Sequence, residues 1–136
     1  MATTSSTALS RLRTTALVIV ACVLVQAALG IASLTGYPQV NEIHGWIGYV
    51  TFIASIVAAV LAFNLSKLSA RFKGTFFHAL SLPVLALVQI GIIEASQGAG
   101  AMKWLHVVLG IAFVVASVGL YAMTGAKQNG RSDVVA

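Results

Sequence analysis

Acidic residues are almost missing from this chain. Glu42, Glu94 and Asp133 are the whole set among 136 residues, against eight Lys and Arg. With only 8% of residues charged and 59% hydrophobic, the polar exterior of a soluble domain cannot be built, so the sequence reads as an integral membrane protein. Cysteine occurs once, as Cys22 within an apolar run; no internal disulfide is possible, and cysteine usage says nothing about redox compartment. Proline occurs twice. Pro38 lies in a turn-like stretch, while Pro83 lies inside an apolar segment, where its missing amide donor predicts a kinked helix. Neither a nucleotide-binding loop nor a nucleophile triad is visible.

What is present is four long apolar runs, at residues 15–34, 44–65, 76–95 and 104–124. Each is close to the roughly 20 residues that carry a helix across a bilayer core. They predict a single transmembrane bundle over residues 13–125, flanked by small polar tails at 1–12 and 126–136 that read as disordered. The connections "TGYPQVNEI", "SKLSARFKG" and "SQGAGAMK" are short, which favours antiparallel neighbours and an all-α, up-down-up-down four-helix bundle. Arg11 and Arg13 before an apolar run give the start of the chain the outline of a signal peptide. The run is long for a signal core and shares "LVQ" with the third span, so a retained helix is expected.

If the spans alternate in direction, Arg11, Arg13, Lys67, Arg71, Lys73, Lys127 and Arg131 share one side and Lys103 stands alone on the other. That bias predicts both termini in the cytoplasm of a bacterial inner membrane. The net charge of +5 is therefore a topology code, with the lipid bilayer rather than nucleic acid as partner.

The sequence also repeats itself. "LVQ" at 24–26 recurs at 87–89, and His44, Gly48, Ala54 and Ser55 recur 62 residues on as His106, Gly110, Ala116 and Ser117. Alanine matches are cheap in such a composition, whereas His and Gln are scarce. Two helical hairpins of equal orientation, related by a pseudo-twofold along the membrane normal, are the expected consequence. At helical periodicity His44, Gly48, Thr51, Ser55, Ala58 and Ala62 form one stripe, opposite Trp46, Val50, Ile53, Val57 and Val60. Span 4 places His106, Gly110, Phe113, Ser117 and Tyr121 opposite Val108, Ile111, Val115 and Val118. The small and polar stripes are expected to face inward.

An imidazole in hydrocarbon is costly unless something uses it. Two at one depth, each with a glycine one turn deeper, suit bis-histidine ligation of haem b in a bundle core, with Gly48 and Gly110 making room for the macrocycle. Zinc or copper would want further ligands, and only Glu42 and Glu94 are near. Gln26 and Gln89, placed nearly two turns deeper, are candidates to bond each other, the macrocycle edge or a quinone-like ligand, or to act as interhelical glue. Lys103 is the one outer cation for a haem propionate. His78, at the cytoplasmic end of span 3, reads as interfacial or capping. The plainer alternative for His44 and His106 is that they merely begin their helices at the interface, in hairpins that pack alike.

The segments "LVQAALGIASLTGYPQVNEIHGWIGY" and "LVQIGIIEASQGAGAMKWLHVVLGI" resemble one four-helix half of haem A synthase, over roughly residues 15–124. The resemblance implies a haem held by paired histidines near the outer ends of the even helices. It does not carry the oxidation chemistry. The family's substrate bundle has a glutamate three residues before a histidine that is followed by arginine, whereas Glu42 precedes His44 by two and Gly45 follows; outer-loop cysteines are also missing. The expectation is thus a haem protein for electron transfer or haem handling, leaning away from catalysis, with a respiratory or redox membrane complex or a quinone as partner. Its rivals are a cofactor-free accessory subunit and a small proton-coupled transporter. Transport is disfavoured because spans 1, 2 and 4 contain no acid and Glu94 is near a span end.

Overall fold

The computed structural model describes residues 2–96 and 100–132. The centre of the glycine-rich second outer connection, at 97–99, and the last residues of the C-terminal tail, 133–136, lie outside the described residues. Four helices make up almost everything else: α1 (Ala2–Leu34), α2 (Asn41–Leu68), α3 (Lys73–Ser96) and α4 (Gly100–Ser132). Each is long and apolar enough to cross a membrane. Helices meet the requirement of hydrocarbon that every backbone amide and carbonyl be satisfied within its own segment.

The helices overrun the apolar spans at both ends, and the expected disordered tails are helical where described. At the N-terminus, α1 starts at Ala2, and Leu9 and Leu12 are buried against the bundle. Two buried leucines one turn apart offset the weak helix preference of the Ser/Thr-rich start. At the other end α4 runs on to Ser132, and Gln128 in its last turns accepts a hydrogen bond from the Arg13 guanidinium of α1 at 2.7 Å. The connections are tight. After α1 the amide of Tyr37 returns to the carbonyl of Ala32, which requires the positive φ of 110° that Gly36 adopts without steric penalty. A 3-10 turn, Pro38–Val40, then leads into α2, and a second, Ala70–Phe72, joins α2 to α3 with Phe72 buried beneath it.

Helix α1 packs on α2 and α4, and α3 packs on α2 and α4, so the four form a closed ring. The inward stripes are those the periodicity indicates. Thr51, Ser55, Ala58 and Ala62 of α2 and Phe113 and Ser117 of α4 are buried, while Trp46, Val50, Ile53, Val57 and Val60, and Val108, Ile111, Val115 and Val118, are exposed. Helix α3 continues through Pro83, which is buried. The absent proline amide leaves the Ala79 carbonyl, one turn back, without its helical donor.

Burial is unevenly distributed along the bundle. The buried residues are Leu9 to Val23 on α1, Thr51 to Leu65 on α2, Phe72 in the second 3-10 turn, Thr75 to Ala86 on α3 and Phe113 to Thr124 on α4. Among the described residues none is fully buried between Leu24 and Val50, between Leu87 and Ser96, or between Gly100 and Ala112. One half is a packed core and the other is loosely closed. Within the packed half the hydroxyls of Thr51, Ser55, Ser117 and Thr124 donate to carbonyls of their own helices, at 2.7–2.9 Å. Thr75 is the exception: its Oγ1 is buried without a partner. Replacing this hydroxyl by a methyl of the same shape removes a desolvated, unpaired group, so Thr75→Val is expected to stabilise the protein by about 1 kcal/mol. Reversible unfolding in mixed micelles measures this, and a destabilised variant would mean that the hydroxyl is bonded after all.

Candidate functional site

The loosely closed half holds the two histidines. His44 lies in the first turn of α2, and His106 lies two turns into α4; both are half-buried. Their rings meet edge-on, with centroids 6.1 Å apart and planes inclined at 64°. Two imidazoles bound to opposite sides of one metal ion at about 2.0 Å each put their ring centres roughly 6 Å apart. The observed separation would let the two residues hold one metal ion, and it is equally that of an ordinary edge-to-face ring contact. Nδ1 of both rings is buried and has no aligned hydrogen-bond partner. Unpaired buried nitrogens are rare in proteins and ask for an explanation.

The glutamines belong to the same level. His44 lies against the backbone of Gln26 on α1, and His106 lies against the backbone of Gln89 on α3. The amide side chains then reach one turn down. A Cβ on Gly48 would stand 2.8 Å from Gln26 Nε2, and one on Gly110 would stand 3.5 Å from Gln89 Oε1. The glutamines are thus about one turn from the histidines, not nearly two. The offset depends on how α1 slides against α2 and α3 against α4, which depth counted along a single helix does not contain. The space over each glycine is filled by the far end of a glutamine side chain. Gln26 Oε1 is itself buried without a partner, so it makes no bond to Gln89.

Gly30 is a member of the site that the repeat did not single out. A Cβ there would stand 3.5 Å from His44 Cε1, so the bare glycine backbone is the wall against which the imidazole rests. Its only trace in the sequence is a small residue one turn after Gln26. Lys103 is exposed, three residues before His106. Glu42 is exposed as well, and Glu94 accepts a long hydrogen bond from Tyr49 Oη at 3.4 Å. Among the described residues no third His, Cys, Asp or Glu joins the histidine pair. Two imidazoles fall short of the four ligands of a structural zinc site but suffice for a haem iron, whose equatorial positions the macrocycle fills.

His78 does not cap a helix end. It shares the buried face of α3 with Thr75, Ala79 and Leu82, and its Nε2 donates to the Ala116 carbonyl of α4 at 2.8 Å. Gly119 makes room for the ring, since a Cβ there would lie 3.2 Å from Nε2. His78 therefore ties α3 to α4 inside the packed half and stays apart from the histidine pair. Beyond it, Arg13 of α1 stacks over Tyr121 of α4 at 5.2 Å, and Lys127 of α4 donates to the Arg71 carbonyl. No protein-family model, curated protein or solved structure matches this chain.

Proposed function

We propose that this chain is a b-type haem-binding membrane bundle, in which His44 and His106 hold one iron from opposite sides for electron transfer or haem handling. The observation that carries the reading is the close, edge-on histidine pair, 6.1 Å between ring centres, with Nδ1 of each ring buried and without a hydrogen-bond partner. Among the described residues none near the pair is buried as a whole residue, so this half of the bundle is the one that could adjust to a macrocycle. Gln26 and Gln89 cover the glycines only with the ends of flexible side chains. Lys103, one turn before His106, supplies a cation for a propionate. When bound, a bis-histidine haem provides one-electron chemistry whose potential is tuned by burial and by hydrogen bonds to the axial rings. The backbones of Gln26 and Gln89 are the groups that orient those rings.

The recurrence of one Gln–His–Gly arrangement, Gln26 with His44 and Gly48, then Gln89 with His106 and Gly110, supports two hairpins built alike. We read the helices as running up, down, up and down in a bacterial inner membrane, with Arg11, Arg13, Lys67, Arg71, Lys73, Lys127 and Arg131 on the cytoplasmic side. The resemblance to half of haem A synthase belongs to this reading for haem binding alone. A cofactor-free accessory subunit is the second reading, favoured by one observation: Gln26 already occupies the space over Gly48. An absorbance spectrum of the purified protein after haem supplementation separates the two. A Soret band that depends on both His44 and His106 is expected; its absence would leave the accessory role.

A further inference from the structure

At the opposite end of the molecule a groove runs along the outer seam of α2 and α3. Ile56, Val60, Phe63, Phe76 and Leu80 line it, and Ala59 and the buried Pro83 form its floor. Every lining residue is apolar, and the cavity measures about 300 Å³. The small Ala59 side chain and the flat proline ring explain the depression, since larger neighbours would fill it. Phe63 and Phe76 stack across the seam at 5.3 Å between centroids, and Phe77 extends the aromatic cluster.

The mouth of this groove is cationic. Lys67 Nζ sits over the Phe63 ring, 4.4 Å from its centre; Arg71 follows in the second 3-10 turn, its guanidinium over Phe72 at 4.7 Å, and Lys73 begins α3. Among the described residues no carboxylate is available to balance them, because Glu42 lies beside His44 and Glu94 beside Tyr49, at the histidine end. A dry apolar slot cannot recognise a polar metabolite, and a cluster of cations alone would not need the slot. Together they match an amphiphile with one anionic phosphate and a hydrocarbon chain.

We infer that the α2–α3 seam is a binding site for one anionic phospholipid, with its phosphate on Lys67, Arg71 and Lys73 and an acyl chain in the groove over Ala59 and Pro83. A juxtamembrane cation contributes about fivefold to the affinity for an anionic surface. Apolar packing in the slot adds retention, which a diffuse surface charge lacks. The site is independent of haem.

Native mass spectrometry of the purified protein tests the inference, using phosphatidylglycerol and phosphatidylcholine of equal chain length, and inorganic phosphate. Wild type is expected to retain one phosphatidylglycerol in preference to phosphatidylcholine and to ignore inorganic phosphate. Lys67→Gln is expected to weaken that adduct by about fivefold, and Lys67→Gln with Lys73→Gln by about twenty-five-fold. Val60→Phe, at an exposed position whose larger ring fills the slot, is expected to remove the retained lipid while leaving the charges in place. Leu80→Phe fills the slot from the other helix and serves if Val60→Phe does not fold. Equal retention of both lipids, displacement by inorganic phosphate, or adducts untouched by both groove-filling changes would each overturn the site.

Discussion

His44→Ala and His106→Ala are each expected to abolish the bis-histidine spectrum, and with it tight haem retention. Losing a partner that merely orients a metal ligand already costs roughly 10–100-fold in affinity, so losing an axial ligand itself costs more. The two changes are expected to be equivalent because the rings are equivalently placed, each against the backbone of a glutamine and each with Nδ1 buried and unpartnered. His78→Ala is the internal control. That imidazole is already committed to the Ala116 carbonyl and lies in the packed half, so its loss should leave the spectrum unchanged and cost stability only, about 0.6–1.7 kcal/mol. The comparison is read by absorbance and by haem retention through gel filtration. A Soret band that survives both His44→Ala and His106→Ala, or that disappears only with His78→Ala, would show that the histidine pair is not the ligand set.

The inward pairing of His44 and His106 was legible because two signals coincide in the chain. One is the helical stripe that runs from His44 through Thr51, Ser55 and Ala58. The other is the recurrence of a scarce residue type at matched positions. Gln26 and Gln89 were legible as members of the set but not in depth. Their level relative to the histidines depends on how α1 slides against α2, and no single-helix periodicity contains that offset. Gly30 left almost no trace, since a glycine that supports a ring by lacking a side chain looks like any other small residue in a membrane helix. The bond that His78 makes was not legible for a related reason. Its place near the start of an apolar run suggested the interface, but α3 begins at Lys73, more than a turn earlier, and the ring has already entered the core. The tails were misread because composition argued for disorder, whereas Leu9, Leu12 and the Arg13–Gln128 bond extend order well past the apolar spans.

Leucine-to-alanine changes are expected to have unequal consequences in the two halves of the bundle. Leu12 and Leu82 are 0% exposed, whereas Leu24 and Leu87, further along the same two helices, are 55% and 59% exposed. In a soluble core such truncations cost about 2–5 kcal/mol through lost transfer energy and the cavity left behind. In a bilayer the transfer component largely vanishes, because lipid is as apolar as leucine, and only the lost packing and the cavity remain. Leu12→Ala and Leu82→Ala are therefore expected to destabilise by about 1–3 kcal/mol, while Leu24→Ala and Leu87→Ala stay within about 0.5 kcal/mol of wild type, as surface changes do. Reversible unfolding in mixed micelles measures all four. The contrast bears directly on the site. If the half around Leu12 and Leu82 supplies the stability, α2 and α4 are anchored there and can hold His44 and His106 together without relying on close packing around them. Equal losses at all four positions would mean instead that the histidine end is a closed core that could not adjust to a macrocycle, and the haem reading would fail on stability evidence without any spectrum being recorded.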